Sequence, residues 1–194
     1  SAANFAFANR QVISSIIENA LVKSLNISPS ELGFRTVWDI AHNIAKIEDH
    51  QFQGKNVRVC VHRKGATRAF GPGHPDLPEI YRQIGQPVLI PGDMGTESFL
   101  CVGTTNAMQA TFGSSCHGAG RVLSRHQAKE KARSRDLYRE LAESGVYVMA
   151  NEKGTIAEEM PFAYKNVADV VETMHSANIT RKVARFKPLG VIKG

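Results

Sequence analysis

Cysteine is scarce in this chain: Cys60, Cys101 and Cys116 are odd in number and too widely spaced for a CxxC metal knuckle or a disulfide framework, so reduced thiols are expected. No apolar run approaches the roughly eighteen residues that a membrane span needs, and the N-terminus lacks the basic-then-apolar layout of a signal peptide. A cytoplasmic protein, or a nuclear one in a eukaryote, with no membrane partner is the expectation. Internal repeats and low-complexity linkers are missing as well, which excludes solenoids and tethered arrays. Acidic residues are the minority, 18 against 24 Lys and Arg, and the resulting charge of +6 favours polyanionic partners through counterion release. Charge alone does not single out nucleic acid, because many basic proteins bind none.

What is present suffices for one core: 42% of the 194 residues are hydrophobic, and residues 1–194 read as a single globular unit. The chain opens at Ser1 without a Met and runs straight into AANFAFANRQVISSIIENALVKSL, as at the cut end of a longer polypeptide. Over about 4–25 the spacing of Phe5, Ala8, Val12, Ile16, Ala20 and Leu21 predicts a helix whose apolar face must pack on something. FRTVWDIAHN reads as a strand ending near His42, and VRVCVH as a half-buried strand leading into a basic loop. FGPGHPDLP is too rich in Gly and Pro to be regular, after which PVLI and SFLCVGT regain strand character. VLSRHQAKEKARSRDLYRELAESG predicts one long charged helix ended by Gly145, followed by a short strand at VYVM, a helix over about 165–177 and an extended tail. The expected class is α+β, with mixed sheets and packed helices.

Three clusters could carry chemistry. In Cys116-His117-Gly118-Ala119-Gly120-Arg121 the small residues allow close backbone approach to a phosphate. A helix N-terminus fed by the loop would favour negative charge, and Arg121 and Arg125 add cations. His117 there could attack phosphorus through a neutral ring nitrogen. A plain polar loop residue fits the same spacing, and Cys116 fits either a nucleophile or a small buried thiol. The second cluster, Asp39 to Asn43, offers His42 and Asn43 to a metal or nucleotide, or simply a structural imidazole. The third, His62 to Arg68, sets Arg63, Lys64 and Arg68 close together, as phosphate recognition needs and as a solvated loop also allows.

Taken in order, AANFAFANRQ, DIAHNIAKIEDH, VHRKGATRAFGPGHP, GQPVLIPGDMGT, FGSSCHGAGRVLSR, YKNVADVV and GVIKG closely resemble the C-terminal portion of the RtcB RNA-splicing ligases, over essentially the whole chain. The resemblance implies a GTP- and manganese-dependent ligase that joins an RNA 3′-phosphate, or a 2′,3′-cyclic phosphate after opening, to a 5′-hydroxyl. Such an enzyme serves tRNA splicing and RNA repair. It implies His117 as the residue that takes up GMP covalently and His42 as a manganese ligand. Asn43, Pro91, Gly92, Asp93, Met94, Ser98, Gly118, Ala119, Gly120, Tyr164 and Lys193 are implied around the nucleotide. Lys64, Arg68, Arg121 and Arg125 are candidates for RNA or triphosphate contacts. The implied partners are RNA and the N-terminal portion of the same ligase with the remaining manganese ligands; an activating protein is a further candidate partner, with the need for one left open. The chain alone is therefore expected to be inactive, with a non-catalytic RNA- or partner-binding piece as the alternative. Asp93 departs from the GSMGT that many relatives carry, and a carboxylate there would repel phosphate unless it faces the base or a cation.

Overall fold

The structure, a computed structural model, describes residues 2–151 and 153–193; Ser1 and the side chains of Lys153 and Lys193 lie outside that description. Helices and small sheets are mixed, as an α+β chain predicts. The first helix, α1 (Ala2–Leu25), has the predicted extent, but none of its residues is buried. After the single turn α2 (Pro29–Leu32) the expected strand over 34–43 does not form. Side chains hold that stretch instead of a ladder. The Tyr81 hydroxyl donates to the Val37 carbonyl at 2.6 Å, Trp38 meets Tyr81 edge-on, and Arg10 Nε donates to both oxygens of Asp39 at 2.9 and 3.0 Å.

The strand begins where that reading ended it. β1 (Asn43–Phe52) pairs antiparallel with β2 (Lys55–Lys64), from Asn43↔Lys64 to Phe52↔Lys55. Gln53 and Gly54 make the turn with positive φ at both positions, as a two-residue hairpin demands. Beyond Gly65, β3 (Ala66–Arg68) leads through the irregular 69–78 segment to α3 (Glu79–Arg82). β4 (Pro87–Pro91) and β5 (Ser98–Gly103) then form the edge and the centre of a three-stranded sheet. α4 (Thr105–Ala110) and β6 (Ser114–Cys116) follow, and β6 pairs antiparallel with β3, Ala66 opposite Cys116.

The predicted long helix is two, α5 (Arg125–Ala132) and α6 (Leu137–Glu143). Asp136 breaks it by capping α6, its carboxylate accepting from Arg139 N–H at 3.2 Å. β7 (Tyr147–Ala150), α7 (Lys153–Glu158), a 3-10 turn (Pro161–Ala163) and α8 (Val167–Ser176) come next. The extended tail serves two sheets: β8 (Thr180–Phe186) joins β5, and β9 (Gly190–Lys193) lies parallel to β7.

Among the described residues two apolar clusters result. Val88, Ile90, Phe99 and Cys101 of the central sheet pack with Ala69, Ala119 and the Val167 and Val171 face of α8. Met94, Leu141, Val146, Ile156 and Met160 form the other. Among the described residues no helix is long and apolar enough to cross a membrane.

Candidate nucleotide and histidine site

The Cys116–Arg121 loop leaves the end of β6 and crosses beneath β4. Ala119 N–H donates to the Pro91 carbonyl at 3.0 Å, and the Gly120 carbonyl accepts from Lys165 N–H at 2.9 Å. A Cβ on Gly118 would come within 3.3 Å of the Pro91 carbonyl oxygen, so the small residue permits this close crossing. Contrary to expectation, the loop does not feed a helix N-terminus. α5 starts only at Arg125, and its end is closed by a capping box between Ser124 and Gln127.

His117 is brought against His42, ring centroids 4.6 Å apart and nearly parallel at 9°. Gly65 sits beside this pair. Its N–H donates to the His42 carbonyl at 2.9 Å, and its φ of +66° is one that side chains resist. A Cβ there would rest 3.5 Å from Nε2 and Cδ2 of His117, an ordinary contact, so the backbone conformation rather than the space calls for glycine. Burial, and then the neighbouring His42, push the His117 imidazole below the usual histidine range, which favours the neutral ring. Burial pushes the adjacent Cys116 thiol up, away from the thiolate a nucleophile needs.

Beside His117 opens a cavity of about 570 Å³. Its walls bring together Pro91, Gly92, Asp93 and Met94, the His117–Arg121 run, and Tyr164. Glu159 and Val191 also line it, and neither was singled out in the sequence: Glu159 lies in an ordinary acidic pair, and Val191 lies inside the GVIKG string. Asn43, Ser98, Lys64, Arg68 and Arg125 are not in this wall. Asn43 and Lys64 face each other at the open end of the hairpin, and Ser98 starts β5 opposite Pro91. Lys193 closes β9 opposite Ala150; its side chain is outside the described part.

The cations divide into two kinds. Lys64 and Arg125 are exposed, Arg125 with a long 3.6 Å pairing to Glu158. Arg121 and Arg68 are committed to the protein. Arg121 donates to the Leu123 carbonyl at 3.0 Å, the Glu158 carbonyl at 2.6 Å, the Tyr164 hydroxyl at 2.9 Å and Glu159 at 3.3 Å. Its guanidinium also lies over the Tyr164 ring, 4.9 Å from the centroid. The Tyr164 hydroxyl in turn donates to Glu159, and burial together with that carboxylate pushes it up to about 12. Arg68 donates to Gln86 at 3.2 Å and covers Phe70 at 4.5 Å. Asp93 is similarly committed: its carboxylate accepts from Gly95 N–H, Thr96 N–H and the Thr96 hydroxyl at 2.8–3.0 Å, an Asx-type turn that gives its charge a local use.

The profile of the family described as tRNA-splicing ligase RtcB matches residues 1–194. The chain belongs to the RtcB family. A tRNA-splicing ligase RtcB from Archaeoglobus fulgidus is 52% identical over 194 residues, covering 100% of this chain and 40% of the relative. Those from Pyrococcus abyssi and Nanoarchaeum equitans are 53% and 48% identical over 194 residues, again covering 100% of this chain, with 21% and 41% of the relatives covered. The chain thus spans from about a fifth to two fifths of the RtcB relatives it matches. The manganese that RtcB membership suggests does not fit these side chains alone. Among the described residues no group of three or more His, Cys, Asp or Glu could hold a metal ion.

Proposed function

We propose that the intact protein carrying this sequence is a GTP- and manganese-dependent RNA ligase that works through a covalent GMP–His117 intermediate. The observation that carries the reading is the cavity beside His117, which gathers residues 91–94, 117–121 and Tyr164 around one imidazole. A nucleoside phosphate lying there would meet small residues on one wall and the Arg121–Tyr164 pair on another.

In this reading a ring nitrogen of His117 attacks the α-phosphorus of GTP; an N–P bond forms as the bond to the β-phosphate oxygen breaks, and pyrophosphate leaves. GMP then passes to an RNA 3′-phosphate, freeing the imidazole. A 2′,3′-cyclic phosphate is first opened by water. The 5′-hydroxyl of the second RNA end attacks the activated phosphate, loses its proton to water and displaces GMP, leaving a phosphodiester. Lys64 and Arg125, exposed and lightly engaged, are the cations best placed to meet RNA. Arg121 holds Tyr164 and the cavity wall. Asn43, Ser98 and Lys193 are assigned to the nucleotide by resemblance to RtcB ligases. Manganese is expected in the intact protein, with His42 as one of its ligands, and tRNA exon halves or other broken RNA as the substrate.

Intact-mass analysis after incubation with GTP and manganese tests the proposal. The intact protein should gain a GMP adduct that His117→Ala abolishes and that the 194-residue chain alone does not form. An adduct that survives His117→Ala, or none in the intact protein, would sink it.

A further inference from the structure

Arg63 stands two residues before Gly65 and takes no part in the cavity wall beside His117. It is 3% exposed and spends its donors on two separate elements. Nη1 and Nη2 each donate to an oxygen of Glu48 at 2.8 Å, within the β1–β2 hairpin. Nη2 also reaches the Phe112 carbonyl at 2.8 Å, and Nε the Ser114 hydroxyl at 2.9 Å, where β6 begins. His50 Nε2 lies 3.0 Å from Glu48, and the His50 ring sits edge-on to Phe112 at 5.2 Å.

Burial pushes the Glu48 carboxyl up, but hydrogen bonds from Arg63 and His50 outweigh it and hold the acid below its usual range. A buried ion pair of this kind gains little stability over an apolar pair of the same shape, because both charges are desolvated. What it supplies here is geometry. Just beyond Arg63 on β2 is Gly65, which holds the His42 carbonyl; just beyond Ser114 on β6 is His117. The planar fork therefore ties the end of β2, beside the Gly65 that holds the His42 carbonyl, to the start of β6, three residues before His117.

We propose that Arg63, held by Glu48, is a positioning residue that sets His42 against His117. The proposal rests on the ligase reading for its kinetic consequence only. Lysine at this position keeps the charge and loses the fork. In the intact protein, Arg63→Lys should lower the maximal single-turnover rate of GMP–His117 formation by about 10²-fold while half-saturating GTP stays within about two-fold, since misplacement by an ångström is felt at the reacting atoms and not in the cavity wall. Ser114→Ala, which removes one contact of the fork, should show the same pattern more weakly. Crystal structures of both variants should show the two rings farther apart than 4.6 Å. An unchanged maximal rate in folded Arg63→Lys, or a loss that falls on half-saturating GTP, would overturn the proposal; if that variant does not fold, Ser114→Ala decides in the same way. Absence of adduct in the unaltered protein would defeat the ligase reading instead. The ring separation then decides positioning alone: widened rings support it and unmoved rings end it.

Discussion

Helix α1 and the Cys116–Arg121 loop are opposites in how they are ordered. The helix has full regular geometry over 24 residues and no buried residue, with Phe5 77% and Ile16 61% exposed. The loop has no regular geometry past Cys116, yet neighbours grip it on both sides: Pro91 at Ala119, Lys165 at Gly120, and Glu158, Glu159 and Tyr164 at Arg121. Order of the first kind comes from local propensity and the second from tertiary contacts. Of the two, only the second can hold a side chain where chemistry needs it.

Substitutions that remove the same atoms from each kind of environment sharpen the contrast. The largest effect is expected in the sheet behind the loop, where Ile90→Ala removes a wholly buried side chain and should cost about 2–5 kcal/mol in urea unfolding. Next comes Glu48→Gln. The Glu48 carboxyl, faced by Arg63, His50 and the more distant Arg68, titrates below its ordinary range when folded. Its contribution is therefore whole above an unfolded value of about 4.3 and is lost as pH falls through the folded value. Urea midpoints taken from neutral pH down to about pH 3 should fall less steeply in Glu48→Gln than in the unaltered protein across that window. Ser124→Ala, which opens the capping box of α5, should cost about 1 kcal/mol in the same assay. The smallest change belongs to α1: Ile16→Ala in the 194-residue chain should fall within about 0.5 kcal/mol of zero, since an exposed side chain is lost and helix propensity rises. A loss as large as that of Ile90→Ala would mean the helix face is covered, and would erase the contrast.

Legibility in the sequence followed the same division. Period and punctuation sufficed for α1, β2, β4, β5 and α8, because apolar spacing and turn residues are local signals. β1 was missed because its inward face carries Glu48 and His50, polar residues whose burial depends on Arg63 from the facing strand. The break between α5 and α6 was missed because the charged run has helical composition throughout, and a single Asp136 cap decides it. At the candidate site, the Gly-rich loop and the PGDM segment stood out as strings, and both line one cavity. That Arg121 is committed to Tyr164 and the Glu158–Glu159 backbone and carboxylate was not legible, since those partners lie far along the chain and no local signal pairs them with Arg121.

The parallel pairing of β7 with β9 also sets an order of events. The Val191 side of the cavity belongs to β9, which can meet β7 only after α7, α8 and β8 have been made. On a ribosome, where segments emerge N-terminus first, His117 and its Arg121 anchor are available well before that last wall. Non-local parallel strands close slowly because the intervening chain must first be restrained. The cavity beside His117 is thus closed only once β9 has emerged, and a chain interrupted after β8 would carry the His117 imidazole beside an unfinished wall.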